Sequence, residues 1–161
     1  FYSMPSWSYN GDYIVVIKHR RQSKGIVRLS VETGIEEDLI PQSSENVGHP
    51  ILSEDFLMYN SDISGIDNIY ALNIETGRRF QVTSAKYGSF NPSISKDGSQ
   101  LTYNEFGPLS MGIAITPFNP SAWLPLEEIK GEPTGFHNHF VDQEANPDVL
   151  STVPKEEYHV D

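Results

Sequence analysis

Three stretches of this chain can be laid over one another. They are Pro5-Ser6-Trp7-Ser8-Tyr9-Asn10-Gly11-Asp12-Tyr13-Ile14, Pro50-Ile51-Leu52-Ser53-Glu54-Asp55-Phe56-Leu57, and Pro92-Ser93-Ile94-Ser95-Lys96-Asp97-Gly98-Ser99-Gln100-Leu101. Each runs from a proline through a serine and a turn signal into apolar residues. The prolines are 45 and 42 residues apart, and Val31-Glu32-Thr33-Gly34 returns 43 residues later as Ile74-Glu75-Thr76-Gly77. The 45 and the 43 differ by two residues, the size of the gap in the middle copy, where Asp55 stands alone against Asn10-Gly11 and Asp97-Gly98. A fixed period of this length constrains the fold more than composition does. Each copy must be one supersecondary unit that buries its faces on its neighbours.

The residues within a copy say which unit. Asn-Gly and Asp-Gly supply the positive φ of a hairpin turn. After the turn the chain alternates with period two, Tyr13, Val15 and Ile17 against Ile14 and Val16, which is the pattern of a strand. Ile26–Val31 and Ile69–Ile74 continue as a further strand, Glu-Thr-Gly turns the chain again, and Glu37–Ile40 or Arg79–Thr83 closes the unit. Sustained helical periodicity is absent. The spacing predicts four-stranded antiparallel meanders repeated about every 43 residues, which is how a β-propeller blade is written.

The segments 5–14 and 92–101, with Asn68-Ile69-Tyr70-Ala71-Leu72-Asn73-Ile74-Glu75-Thr76-Gly77 running on to Gln81-Val82-Thr83, resemble the WD40-like repeat of TolB-type propellers. The expected fold is all-β. It is a partial β-propeller of about two and a half to three blades, followed by an irregular tail. The expected blades are 5–43, 44–85 and a partial 86–116, with residues 117–161 a Pro-rich acidic tail or linker. Two departures from the repeat stand out. The middle copy lacks its Asp-Gly turn, and the third has no Glu-Thr-Gly near residue 120. The chain starts Phe1-Tyr2-Ser3, without Met or a signal segment, which reads as an excised or processed piece with further blades upstream. In the tail, Phe118, Trp123 and Leu124 are expected to pack on the last blade, and Leu124–Ile129 to form one short turn.

Composition narrows the partners. The net charge is −11 over 161 residues, which argues against nucleic acid, since phosphate binding needs clustered Lys and Arg. Lys18-His19-Arg20-Arg21 is short and reads as a strand end. The chain has no cysteine, which removes disulfides, thiolate metal sites and cysteine nucleophiles. No apolar run is long enough for a membrane helix, so no membrane insertion by this segment is expected.

The chemistry-bearing residues are few. No Gly-x-Ser-x-Gly, His-Glu-x-x-His or Gly-rich phosphate loop is present, so no catalytic residue and no cofactor is expected. His137 and His139, with Asp142 near, are the metal candidates, because i and i+2 share one face of a strand. A solvated loop is the competing reading. Asp62–Asn68 has the oxygen donors of a calcium loop but sits where the repeat needs a turn. His49, before Pro50 at the start of an innermost strand, is the candidate ligand contact; bonding to a neighbouring loop is its structural reading. Trp7, Tyr59 and Tyr103 are expected in the core between blades.

The expected function is a non-catalytic propeller segment of a bacterial cell-envelope protein, in the periplasm or envelope, binding a protein, peptide or glycan. Self-association through open blade edges is a further expectation. The resemblance also implies an alternative, a substrate-gating propeller of a prolyl oligopeptidase- or tricorn-like peptidase whose hydrolase domain lies elsewhere. Trp123-Leu124-Pro125-Leu126 and Pro154–Val160 resemble the join between such a propeller and an outer-membrane β-barrel.

Overall fold

A computed structural model describes residues 1–129. The first blade is a four-stranded antiparallel meander of β1 (Tyr2–Trp7), β2 (Tyr13–Arg20), β3 (Ser23–Ser30) and β4 (Glu36–Ser43). The second contains β5 (Gly48–Leu52), β6 (Phe56–Ser61), β7 (Asn68–Asn73) and β8 (Arg79–Gln81). The third has three strands, β9 (Ser89–Ile94), β10 (Gln100–Phe106) and β11 (Met111–Pro117). Among the described residues it is therefore a blade without an outer strand.

One backbone bond fixes the repeat in space. The N–H of Val31 donates to the Asp12 carbonyl, that of Ile74 to Asp55, and that of Phe118 to Ser99, each at 2.9 Å. These bonds tie the end of the third strand to the start of the second. The glycines of the Glu-Thr-Gly turns adopt φ of 68° at Gly34 and 70° at Gly77, which explains why that position is glycine.

The repeated proline also has a physical consequence. Proline has no N–H for a ladder, so within a sheet it is confined to edge strands, first positions or bulges. Met4, His49 and Asn91, each just before its proline, take φ of 52°, 47° and 55°. Strand pairing shifts register there, between Ser3 and Ser6 in β1 and between Gly48 and Ile51 in β5. Three copies of one unusual conformation mark it as part of the blade plan rather than local strain.

Alternation sorts side chains into two interblade cores. Val15, Ile17, Ile26 and Ile40 of the first blade meet Leu57, Tyr59, Tyr70 and Leu72 of the second. The other face of the second blade, Met58, Ile69 and Ala71, meets Leu101 of the third. Both faces of β6 and β7 are thus buried, which is why these strands are almost continuously apolar. Tyr59 is fully buried, and Tyr103, its counterpart, is partly buried against the second core.

Ile26, Ile69 and Ile113 hold the same place in β3, β7 and β11. The first two are 0% exposed; Ile113 is 78% exposed. The described residues contain no blade beyond the third to cover it. The same reason corrects the expectation for Trp7. Its counterparts Leu52 and Ile94 pack toward the preceding blade. Trp7 has no preceding blade among the described residues and is 62% exposed.

The described part of the tail, residues 118–129, is irregular chain with a few short elements. Leu124–Pro125 forms a short strand, β12, antiparallel to β8 (Leu124 opposite Gln81), making the second blade's sheet five-stranded. Trp123 stacks edge-on to Phe56 and Phe118 at 5.0 and 5.1 Å. It therefore packs on the second blade and its junction with the third, not on the last blade alone. Leu126–Glu128 forms one short 3-10 turn.

A charged cluster ties the connector between the first two blades to β8. Glu45 pairs with Arg79, accepts from Ser61 Oγ at 2.6 Å, and is 9% exposed. No helix among the described residues is long and apolar enough to cross a membrane.

Candidate functional site

The turns between the first and second strand of each blade share one construction. Ser8 N–H donates to the Tyr13 carbonyl, Ser53 N–H to Phe56 and Ser95 N–H to Gln100, each at 2.9 Å. Each serine Oγ accepts in return from the N–H of that same partner, at 3.0, 3.1 and 3.0 Å. In the outer copies the hydroxyl donates to an Asx side chain, Asn10 Oδ1 at 2.8 Å and Asp97 Oδ1 at 2.6 Å. In the middle copy, two residues shorter, it donates to the Phe56 carbonyl at 2.9 Å. The serine is thus what lets the deleted turn keep its shape. Gly98 sits at φ 70° in the third turn.

These three turns border one open groove of about 700 Å³. Its floor is apolar, from Ile51, Phe56, Ile94 and Phe118. Trp7 and Tyr9 stand at its edge with 62% and 67% of their surface exposed. Glu54, Asp55 and Asp97 also line it, against one cation, Lys96. Exposed aromatics beside fixed charges are what a binding surface offers, since isolated apolar side chains are ordinary but a concave cluster is not. Asp97 is held at about 2, first by the Ser95 hydroxyl and then by the N–H and hydroxyl of Ser99, all donating to its carboxylate.

His49 lies outside the groove lining. Its ring Nδ1 is 3.0 Å from Asn60 Oδ1, and its backbone N–H lies 3.3 Å from Met4 Sδ. Asn60 in turn donates to Asp67 Oδ1 at 3.3 Å. Asp67 is raised above the ordinary carboxylate range, chiefly by burial. Asp62–Asn68 is a turn whose oxygens meet protein donors: the N–H of Gly65 donates to the Asp62 carbonyl at 2.7 Å, and that of Asn46 to Asp62 Oδ1 at 3.1 Å. His137, His139 and Asp142 lie outside the described residues. Tyr9, Glu54 and Asp55 were not singled out from the sequence. The only signal for them was their position inside the turn motif, where identity varies between copies while the framing serine does not.

No family model and no curated protein matches the chain. Solved structures do. A TolB-type protein from Agrobacterium tumefaciens superposes with a TM-score of 0.64 at 17% identity, over 74% of this chain and 47% of its own. A puromycin-hydrolysing peptidase of Mycobacterium tuberculosis gives a TM-score of 0.56 at 19% identity, over 79% of this chain and 22% of its own. This chain therefore spans less than half of either structure. At such identities the likeness speaks to architecture, and it agrees with the repeated bonds and bulges above. The chain has the β-propeller fold of TolB-type proteins, laid out as successive antiparallel blades.

Proposed function

We propose that this chain is a non-catalytic propeller segment that binds a protein or peptide in the bacterial cell envelope. The observation that carries the reading is the groove where three equivalent turns converge, with Tyr9 exposed beside an apolar floor. Turns hold a ligand-facing surface at low cost to the fold, because the serine-framed backbone stays constant while the residues within it vary. Aromatic side chains supply large contact area with few rotatable bonds. The envelope location rests on the likeness to a TolB-type protein.

The test is NMR on the isotope-labelled chain with pooled random decapeptides. The expected result is shift changes clustered on Ser8–Asp12, Ser53–Asp55 and Ser95–Ser99. They should be lost in a Trp7→Ala/Tyr9→Ser variant that keeps its strand signals. Changes scattered over the blades, or unaffected by that variant, would refute the groove as the binding surface.

A further inference from the structure

The groove's ligand can be narrowed by charge; this step rests on the binding role proposed above. Three carboxylates and one ammonium line the groove. Among the described residues, the side chains of Glu54 and Asp55 make no hydrogen bond or ion pair. The carboxylates of the other turns are engaged: Asp12 Oδ2 accepts from Asn10 Nδ2 at 2.6 Å, and Asp97 accepts from Ser95 and Ser99. The middle turn, shortened by two residues, has lost the Asx that would occupy its serine, and its carboxylates are left to solvent. Both line the groove together with the exposed Tyr9 and the apolar Ile51 and Phe56.

We infer that the groove takes an extended cationic peptide segment, with an arginine or lysine side chain over Tyr9 and its charge directed to Glu54 and Asp55. Two features favour this occupant. An aromatic face beside carboxylates attracts a cation twice over, through the ring quadrupole and through charge. A chain of net charge −11 also draws cations toward it over a distance. A neutral glycan gains from the aromatic face alone. An acidic segment is opposed by both charge terms. A second copy of this acidic chain brings the same net charge and meets the same opposition.

The experiment is isothermal titration of the full chain with a decapeptide alternating arginine and glycine, and with its glutamate–glycine counterpart, at low and high salt. The arginine peptide should bind, with affinity falling as salt rises, and the glutamate peptide should not. Glu54→Gln/Asp55→Asn should weaken the arginine peptide by about tenfold, in the range of lost exposed charge pairs. Glu32→Gln/Glu75→Gln removes the same charge from other turns and should change binding less than about twofold. Tyr9→Ser should also weaken it.

Equal weakening by the two double variants would show general attraction to an acidic surface and overturn the inference. So would equal binding of both peptides, salt-independent binding, or binding of a neutral oligosaccharide in place of the arginine peptide. If those ligands still depend on Tyr9, only the cationic preference fails. If no ligand responds to Tyr9→Ser, the groove itself is not the binding surface.

Discussion

Arg79 Nε donates to the hydroxyl of Tyr59 at 2.7 Å, with the guanidinium 5.5 Å from the centre of the same ring. Arg79 also pairs with Glu45. One side chain therefore binds the connector between two blades to the core that both share. Removing Glu45 leaves Arg79 partly buried and bonded to Tyr59 alone. Glu45→Ala is expected to cost about 1–3 kcal/mol, the range for a polar group that loses its partner. Urea unfolding followed by circular dichroism measures it, and a change under about 1 kcal/mol would place the pair with weak surface bridges.

Tyr59 has its pKa raised above 10.0, chiefly by burial, and Tyr70 is shifted the same way. A raised folded-state value means that the unfolded chain ionises first. The stability contributed by the neutral phenols is complete below pH 10 and is lost as pH climbs beyond it. Alkaline unfolding should coincide with the appearance of tyrosinate absorbance from these two rings. Their titration in a chain that remains folded would contradict their burial.

The two tryptophans should differ sharply. Trp123 is 9% exposed and packs against Phe56 and Phe118, so Trp123→Ala should cost about 3–5 kcal/mol. Trp7 is 62% exposed, and Trp7→Ala should fall within about 0.5 kcal/mol of the parent. Comparable losses in thermal melts would mean that Trp7 is covered.

Two glycines separate backbone strain from side-chain space. A Cβ at Gly98 or at Gly112 meets nothing within 4 Å, yet Gly98 has φ 70°. Gly98→Val should cost about 1–2 kcal/mol, the penalty of a left-handed conformation, raised by the β-branch. Gly112→Ala in β11 should be neutral within about 0.5 kcal/mol. Equal effects would show that turn conformation is not what selects Gly98.

Asp97 is held down from 3.8 to about 2 by the donors of Ser95 and Ser99. A depressed folded-state value contributes stability that is present above pH 3.8 and lost as pH falls toward 2. NMR titration of its carboxyl should show this midpoint, and Ser95→Ala should move it upward. An unchanged midpoint would separate the carboxylate from the serine.

The blade plan was legible because it is written in local chemistry. Positive-φ glycines, period-two apolar residues and the recurring Glu-Thr-Gly turn act within a few residues of themselves. The two-residue deletion at Asp55 could be read too, since only the turn shortened. The position of Trp7 could not. An alternating tryptophan in a strand looks the same whether or not a neighbouring blade covers it, and burial here is decided by what lies across the interface. The short strand at Leu124–Pro125 was hidden for a similar reason. The tail's prolines suggest a poor strand, but Pro125 sits in an outermost strand, where a missing N–H costs little. The groove was the least visible, because it comes from three turns brought together by blade packing. His49, the contact expected from the sequence, lies in the bulge that precedes its proline.

The pairing of β12 with β8 has a consequence for how the chain is assembled. Sequence order puts residues 89–117 after the second blade, but sheet connectivity encloses them within it. The second blade finishes its sheet only after the whole of the third has been made, so the third blade is an excursion between two adjoining strands. Closing that excursion is a contact of high sequence separation, and such contacts form late. The ribosome would release the first blade as a completed unit, and the other two would have to settle together.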